Sequence, residues 1–508
     1  MTIKPGQSYK SAAVCIPAGA LCKVQDFALN LFNDVTFDLI VRTNIINIKF
    51  CELTLKTSPL SALEHLEQCL AAVDIWNPYV NAMMIVDAKS ARQAAQAADD
   101  AAKQGRSLGL LHGIPIAVKD NLDTAGLRTT YGSGFFKDHI PTKDATVVSR
   151  LRQAGAVIVG KSSLHEFAFG VRSNNPVSGQ CRNPWDITRI PGGSSGGSGV
   201  VVATGMSQMA LGTDTGGSVR IPAALNGITG LRTTLGSVPN TGCMPVSETH
   251  DTVGPMARTA HEVALLFSVL SGFDSEDPIS EPFRLEHFLP SLRQGIKGVK
   301  IGLPSNHYFD DLDPAVATAI EQAIHTLKSL GAQMVDVALP GAESAHLSAT
   351  HIIYMDACAT HAERLRIGGD NWAPQTLERM RMGLTFTGTD YARAMRHREA
   401  WVRQMRVVFN QVDILLSPTT KTVAPPIIED RNLFEATRAV TSNTYAGAFA
   451  KIPGLSVPCG FSSLGLPIGL MLEAAAWNEP LLLRVGCAFQ DATDWHSYRP
   501  DLAKARMA

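Results

Sequence analysis

The sequence predicts an α/β protein built on a large mixed β-sheet with α-helices on both faces. Three observations lead there. Between residues 114 and 212, short apolar runs rich in Ile and Val alternate with helical stretches, the pattern of a largely parallel or mixed sheet layered by helices. Two further apolar runs near the C-terminus are spaced to close as a hairpin. Over 508 residues the chain is 45% hydrophobic and 18% charged, enough for a sizeable core, and no composition break divides it.

Taken in order, residues 1–52 carry a Val/Ile/Phe/Asn mixture and read as an N-terminal extension of unknown role, with a single domain over 53–508. Ser58-Pro59 is a helix-start signal, and Leu60, Leu63, Leu66, Leu70, Val73 and Ile75 stripe one face of the helix that follows. An alanine-rich helix spans about Ala88–Gln104. The alternation then runs Ile114–Lys119 strand, Ala145–Gln153 helix, Val157–Val159 strand, Ser198–Thr204 helix and Ser207–Gly212 strand. Beyond Asp274 come a strand at Val299–Leu303, a helix at Pro314–Leu330 ended by Gly331, and helix-like stretches over 345–410. Asp413–Pro418 reads as a buried strand, and Ser456–Phe461 with Leu466–Leu472 as the closing hairpin.

Chemistry concentrates in two glycine loops and one lysine. The loops are Pro191-Gly-Gly-Ser194-Ser195-Gly-Gly-Ser198-Gly199 and Gly212-Thr-Asp214-Thr215-Gly216-Gly217-Ser218-Val-Arg220. Glycines remove Cβ atoms and allow positive φ, so successive N–H groups can converge on a developing anion. Upstream, Lys119 ends the apolar run Ile114–Val118. An ammonium emerging inside the fold is disfavoured, so its pKa falls and the neutral amine becomes a base. A lysine base with two loop serines suits acyl transfer.

These residues and their spacing, 75 from Lys119 to Ser194 and 24 from Ser194 to Ser218, resemble the amidase signature family. The similarity runs from about Leu53 to Pro500. It implies a large twisted mixed sheet and an amidase domain over 53–508. It implies a Ser-cisSer-Lys triad in which Lys119 takes a proton from Ser194, Ser194 from Ser218, and Ser218 attacks an amide carbonyl. The oxyanion would meet the N–H groups of Thr215, Gly216, Gly217 and Ser218, with Ser195, Asp214 and Arg220 as support. The peptide before Ser194 would be cis.

His165-Glu-Phe-Ala-Phe-Gly170, Ser173-Asn-Asn175, Arg189–Gly193 and Pro245–Arg258 are similar to the indoleacetamide and mandelamide hydrolase branch, which cleaves primary arylacetamides to acid and ammonia. Ala168, whose backbone would meet substrate, and the aromatic residues Tyr131, Phe167 and Phe169 are then the expected pocket residues. Asn226, where cysteine is expected, and the loop Thr241–Met244 depart from that pattern. Alternatives on the same fold are an amidotransferase A-subunit type glutamine amidohydrolase and a carbamate, urea, allophanate or anilide hydrolase. A scaffold would have no reason to keep all three triad positions.

Other classes are disfavoured. With 45 basic and 46 acidic residues the net charge is −1, which leaves no footprint for nucleic acid or an anionic membrane and fits a small-molecule amide substrate. Nine scattered cysteines without a CxxC pair argue for a reducing cytoplasm and against a disulfide framework or zinc site. The longest apolar candidate for a membrane span, Phe27–Phe50, is broken by Asn30, Asn33, Asp34, Asp38 and Arg42. Gly155–Ser162 satisfies the phosphate-loop pattern, but its intervening residues, Ala156–Val159, belong to a strand. His165-Glu166, His250-Asp251 and Trp495-His496 lack metal-ligand spacing. No metal or cofactor is expected. Several relatives in the family are dimers, which makes a homodimer admissible, although no segment identifies an interface.

Overall fold

The computed structural model describes residues 60–282, 287–428 and 432–507. The proposed extension at 1–52 and the Ser58-Pro59 signal lie outside them. In chain order the strands are β1 (Met83–Val86), β2 (Pro115–Lys119), β3 (Val157–Ser162), β4 (Asn174–Asn175), β5 (Gly179–Gln180), β6 (Met209–Asp214), β7 (Thr229–Arg232), β8 (Thr252–Ala257), β9 (Lys300–Pro304), β10 (Gln333–Val337), β11 (Ile414–Pro418), β12 (Gly454–Phe461) and β13 (Pro467–Ala474). Eleven of them form one sheet in the order β1-β3-β2-β6-β8-β7-β12-β13-β11-β9-β10, and β4 pairs with β5 apart from it.

The sheet is mixed, as expected. β2 lies parallel to both β3 and β6, and β9 parallel to β10 and β11. The antiparallel centre comes from β8, β7, β12 and β13. Every residue of β2, β3, β6, β7 and β8 is buried, so none shows the apolar–polar alternation of a one-sided strand. β7 and β8 escape the sequence pattern because glycine, proline and arginine interrupt their apolar runs, Thr229-Gly-Leu-Arg232 and Thr252-Val-Gly-Pro-Met-Ala257. The predicted closing hairpin is present as β12 and β13, paired antiparallel from Gly454↔Glu473 to Phe461↔Pro467.

The first described helix runs Ala62–Val80, and its N-cap is Ser61, which forms a capping box with Glu64. Its buried face is Leu66, Cys69, Leu70, Val73 and Val80. Ile75 leaves the predicted stripe and is 57% exposed. It lies two residues past Val73, roughly 200° around the helix, and so faces away. The phosphate-loop pattern is indeed strand, because Val157–Ser162 are all in β3. Among the described residues no helix is long and apolar enough to cross a membrane.

Candidate active site

The site forms at the C-terminal ends of the parallel strands β2 and β6. This is the position where open α/β sheets collect ligand-binding loops. Lys119 is the last residue of β2 and is fully buried. β6 ends at Thr213-Asp214, and the loop after it enters a short helix, Arg220–Asn226. The other glycine loop precedes the helix Gly196–Thr204, and the Gly193–Ser194 peptide is cis.

Lys119 Nζ donates to Ser194 Oγ at 2.8 Å and to Thr213 Oγ1 at 2.7 Å. Asn121 Nδ2 reaches the same Thr213 oxygen at 3.1 Å. Burial pushes the Lys119 ammonium down to about 7, against the raising influence of Cys243, Asp251 and Asp214. A substantial fraction is therefore neutral near pH 7. The two glycine loops meet where Ser195 N–H donates to the Ser218 carbonyl at 3.2 Å. Lys119 and Ser194 are fully buried. Ser218 is half-buried, so of the three it is the one that reaches toward solvent.

The loop after β6 is held from beneath by buried ions. Asp214 pairs with Arg220 at 3.1 Å and with Arg232 at 3.0 Å, and Arg220 also meets Glu473 at 3.3 Å. Burial alone would raise the Asp214 carboxyl; the two guanidinium groups hold it well below the usual range instead. Glu473, caught in the same network but farther from balance, is pushed up to about 7 by burial. The expected Asp214–Arg220 brace is thus present and larger than the sequence indicated.

One oxyanion assignment requires correction. Gly217 N–H donates to Asp214 Oδ1 at 2.7 Å, so it is already occupied. Among the described residues, no acceptor takes the N–H of Thr215, Gly216 or Ser218. Gly217 serves the loop through its φ of 128°, a conformation that L side chains rarely adopt. Gly216 is needed for space: a Cβ there would lie 2.4 Å from the Tyr445 ring. Ser195 supports the strand end, since its hydroxyl donates to the Thr213 carbonyl at 3.1 Å and accepts from Thr213 N–H at 3.2 Å.

The predicted pocket residues Tyr131, Phe167, Ala168 and Phe169 all lie in one buried core cluster. Tyr131 (φ 52°), Phe167 (φ 51°) and Ala168 (φ 56°) all occupy the left-handed region, and Phe167 N–H donates to the Tyr131 carbonyl at 2.8 Å. Such residues cluster where surroundings over-determine the backbone. The Tyr131 ring packs edge-on to Phe136, while Phe167 sits 4.1 Å from His361 and 5.5 Å from Trp372. These two aromatics fill core. Phe169, in the same core cluster, meets Tyr354 edge-on at 4.8 Å, and the Tyr354 hydroxyl accepts from Arg379.

Several neighbours were not legible in the sequence. Tyr445 walls the loop at Gly216, and Thr444 Oγ1 donates to the Gly216 carbonyl at 2.6 Å. Asp251, read only as a non-ligand, accepts from Thr215 Oγ1 at 2.5 Å and from the N–H groups of Val246 and Ser247. Arg379, 1% exposed, donates to Tyr354 OH at 3.1 Å and Thr437 Oγ1 at 2.8 Å. Its Nε has no partner, and no carboxylate among the described residues pairs with it. No spacing rule connects these positions to Ser218, because they lie up to about 230 residues away in the chain.

Fold and site together define an amide-bond hydrolase, and the chain belongs to the Amidase family, which matches residues 64–483. The A subunit of glutamyl-tRNA(Gln) amidotransferase from Chloroflexus aurantiacus is 39% identical over 480 residues, covering 90% of this chain and 98% of that protein. Among solved structures, a chain from a vestigial protein complex bearing on the origins of an s-triazine catabolic enzyme is 34% identical, with a TM-score of 0.81 over 85% of this chain and 95% of its own. The peptide amidase PAM, bound to the inhibitor chymostatin, is 30% identical with a TM-score of 0.77 over 89% and 98%. None of these three proteins is named as an indoleacetamide or mandelamide hydrolase, the branch that the sequence resemblance singled out.

Proposed function

We propose that the chain hydrolyses a primary amide whose acyl part carries a carboxylate, with glutamine as the substrate, in the manner of an amidotransferase A subunit. Arg379 is the observation that carries this reading. A guanidinium buried without a counter-charge costs several kcal/mol, and no carboxylate among the described residues supplies one. It stands near the oxyanion loop: its charge acts on Tyr445, which packs on Gly216, and on His165, whose N–H donates to the Ser194 carbonyl at 3.1 Å. A substrate carboxylate would complete the pair. The 39% identity to an amidotransferase A subunit, over nearly the whole length of that protein, supports the same substrate, and by analogy protein partners that receive the ammonia.

In this mechanism neutral Lys119 accepts the Ser194 proton while Ser194 accepts that of Ser218, and Ser218 Oγ attacks the amide carbon. The N–H groups of Thr215, Gly216 and Ser218 receive the oxyanion, each such donor being worth roughly 3–4 kcal/mol. Ser194 then protonates the departing nitrogen, ammonia leaves, and water activated along the same relay cleaves the acyl-Ser218 ester.

A second reading, an arylacetamide substrate, has the Phe169–Tyr354 pair beside Arg379 in its favour. Ammonia release from glutamine, phenylacetamide, indoleacetamide, mandelamide and propionamide separates the two. The assay is run on the chain alone and on the complex that a tagged chain captures from its native cells. Preference for glutamine in either preparation supports the proposal. Preference for the aryl amides in both overturns it.

A further inference from the structure

The Lys119 amine has two hydroxyl neighbours at equal reach and with opposite consequences. Nζ lies 2.8 Å from Ser194 Oγ and 2.7 Å from Thr213 Oγ1, with the Thr213 carbonyl oxygen at 3.5 Å. A neutral amine has two N–H donors and a single lone pair. Were Thr213 to donate its hydroxyl proton to that lone pair, Ser194 would lose its proton acceptor. An active base needs the Thr213 proton held elsewhere.

Asn121 is placed to hold it. Its side chain is 1% exposed, and its Nδ2 end lies 3.1 Å from Thr213 Oγ1 and 3.4 Å from Cys243 Sγ, while Oδ1 meets no partner. The two ends of a carboxamide are nearly alike in size and exchange by a half-turn. With the carbonyl end turned to these neighbours, it accepts the Thr213 O–H, while the Cys243 S–H donates to the Met244 carbonyl at 3.7 Å. The lone pairs of Thr213 then face the Lys119 N–H groups.

We propose that Asn121 is a positioning residue that captures the Thr213 hydroxyl proton and so leaves Ser194 as the sole donor to the Lys119 lone pair. This rests on the Ser-Ser-Lys reading above. The ionisable groups acting on Lys119 are Cys243, Asp251 and Asp214, and Lys119 in turn acts on His165; none of them alters the geometric argument, because none contacts Thr213 Oγ1.

The test is a double-mutant cycle read by kcat and its pH profile on whichever amide of the panel turns over fastest. Asn121→Ala is expected to lower kcat about a hundredfold with little change in KM. Thr213→Val, which has no hydroxyl proton to misdirect, is expected to recover at least tenfold of that loss when combined with Asn121→Ala. Asn121→Asp, which keeps an acceptor, is expected to retain most of kcat at high pH while its acid limb moves to higher pH, and it serves also where Asn121→Ala fails to fold. Additive losses in the double variant, or a kcat for Asn121→Ala equal to that of the parent, overturn the proposal. Lys119→Ala, run beside them, separates the two failures. Should it keep turnover, the base assignment falls and this inference with it; if it is inactive while the cycle is additive, this inference alone falls.

Discussion

The two walls of the site are built differently. The wall made by β2, β6 and the glycine loops is fastened to the sheet by buried ion pairs and backbone bonds: Asp214 between Arg220 and Arg232, Ser195 across Thr213, and Asp251 on Thr215. The facing wall comes from helices in the second half, Ala342–Thr360, Pro374–Gly383, Leu433–Thr441 and Tyr445–Phe449. It meets the first through a few side chains, Tyr445 on Gly216 and Tyr354 on Phe169, and it carries a charge that nothing among the described residues neutralises. The first wall is rich in ion pairs and holds the residues proposed to carry the reaction. The second carries the Arg379 charge without a carboxylate partner among the described residues, and under the proposed function that is where substrate would be chosen.

Substitutions can break this division. Ser218→Ala should abolish ammonia release while leaving the thermal midpoint nearly unchanged, since a half-buried hydroxyl is lost without a cavity of consequence; substantial residual turnover would refute Ser218 as nucleophile. Gly216→Ala should follow, with kcat down about 10²- to 10³-fold as the new methyl drives the loop off Tyr445. Steady-state kinetics of a Gly216→Ala, Tyr445→Ala pair check this, because recovery in the double variant traces the loss to that contact.

On the facing wall, Arg379→Met should raise KM for glutamine roughly thirtyfold or more, equivalent to at least about 2 kcal/mol, and change propionamide hydrolysis little. Equal losses on both amides would make Arg379 structural. The smallest effect is electrostatic. Activity needs the deprotonated Lys119, so kcat/KM should fall as pH drops through about 7, where burial places that group. Asp251 favours the charged lysine, so Asp251→Asn should shift this limb toward lower pH. A flat profile would contradict a neutral-lysine base.

Legibility followed the same division. Lys119, Ser194, Ser218, Ser195, Asp214 and Arg220 could be singled out as candidates because glycine-rich loops and a strand-end lysine are local patterns. Gly217 was misassigned because a glycine beside a serine indicates a loop without telling which N–H points outward; Asp214 claims this one. Tyr131 and Phe167 read as pocket walls but pack on Phe136, His361 and Trp372, partners that no spacing announces. β7 and β8 were missed because glycine, proline and arginine break the apolar runs by which the equally buried β2 and β3 were read.

By itself the sequence determined the α/β class, the hairpin at the end of the chain, the family and the residues proposed to bear the chemistry. These depend on periodicity, glycine and short-range spacing, which survive in one dimension. Only the tertiary structure decided that Lys119 is fully buried with its ammonium pushed down to about 7, that Thr213 Oγ1 lies as close to its amine as Ser194 Oγ, and that Arg379 has no carboxylate partner among the described residues. Burial and pairing depend on what distant segments bring within a few ångströms, and that information exists only once the sheet has closed.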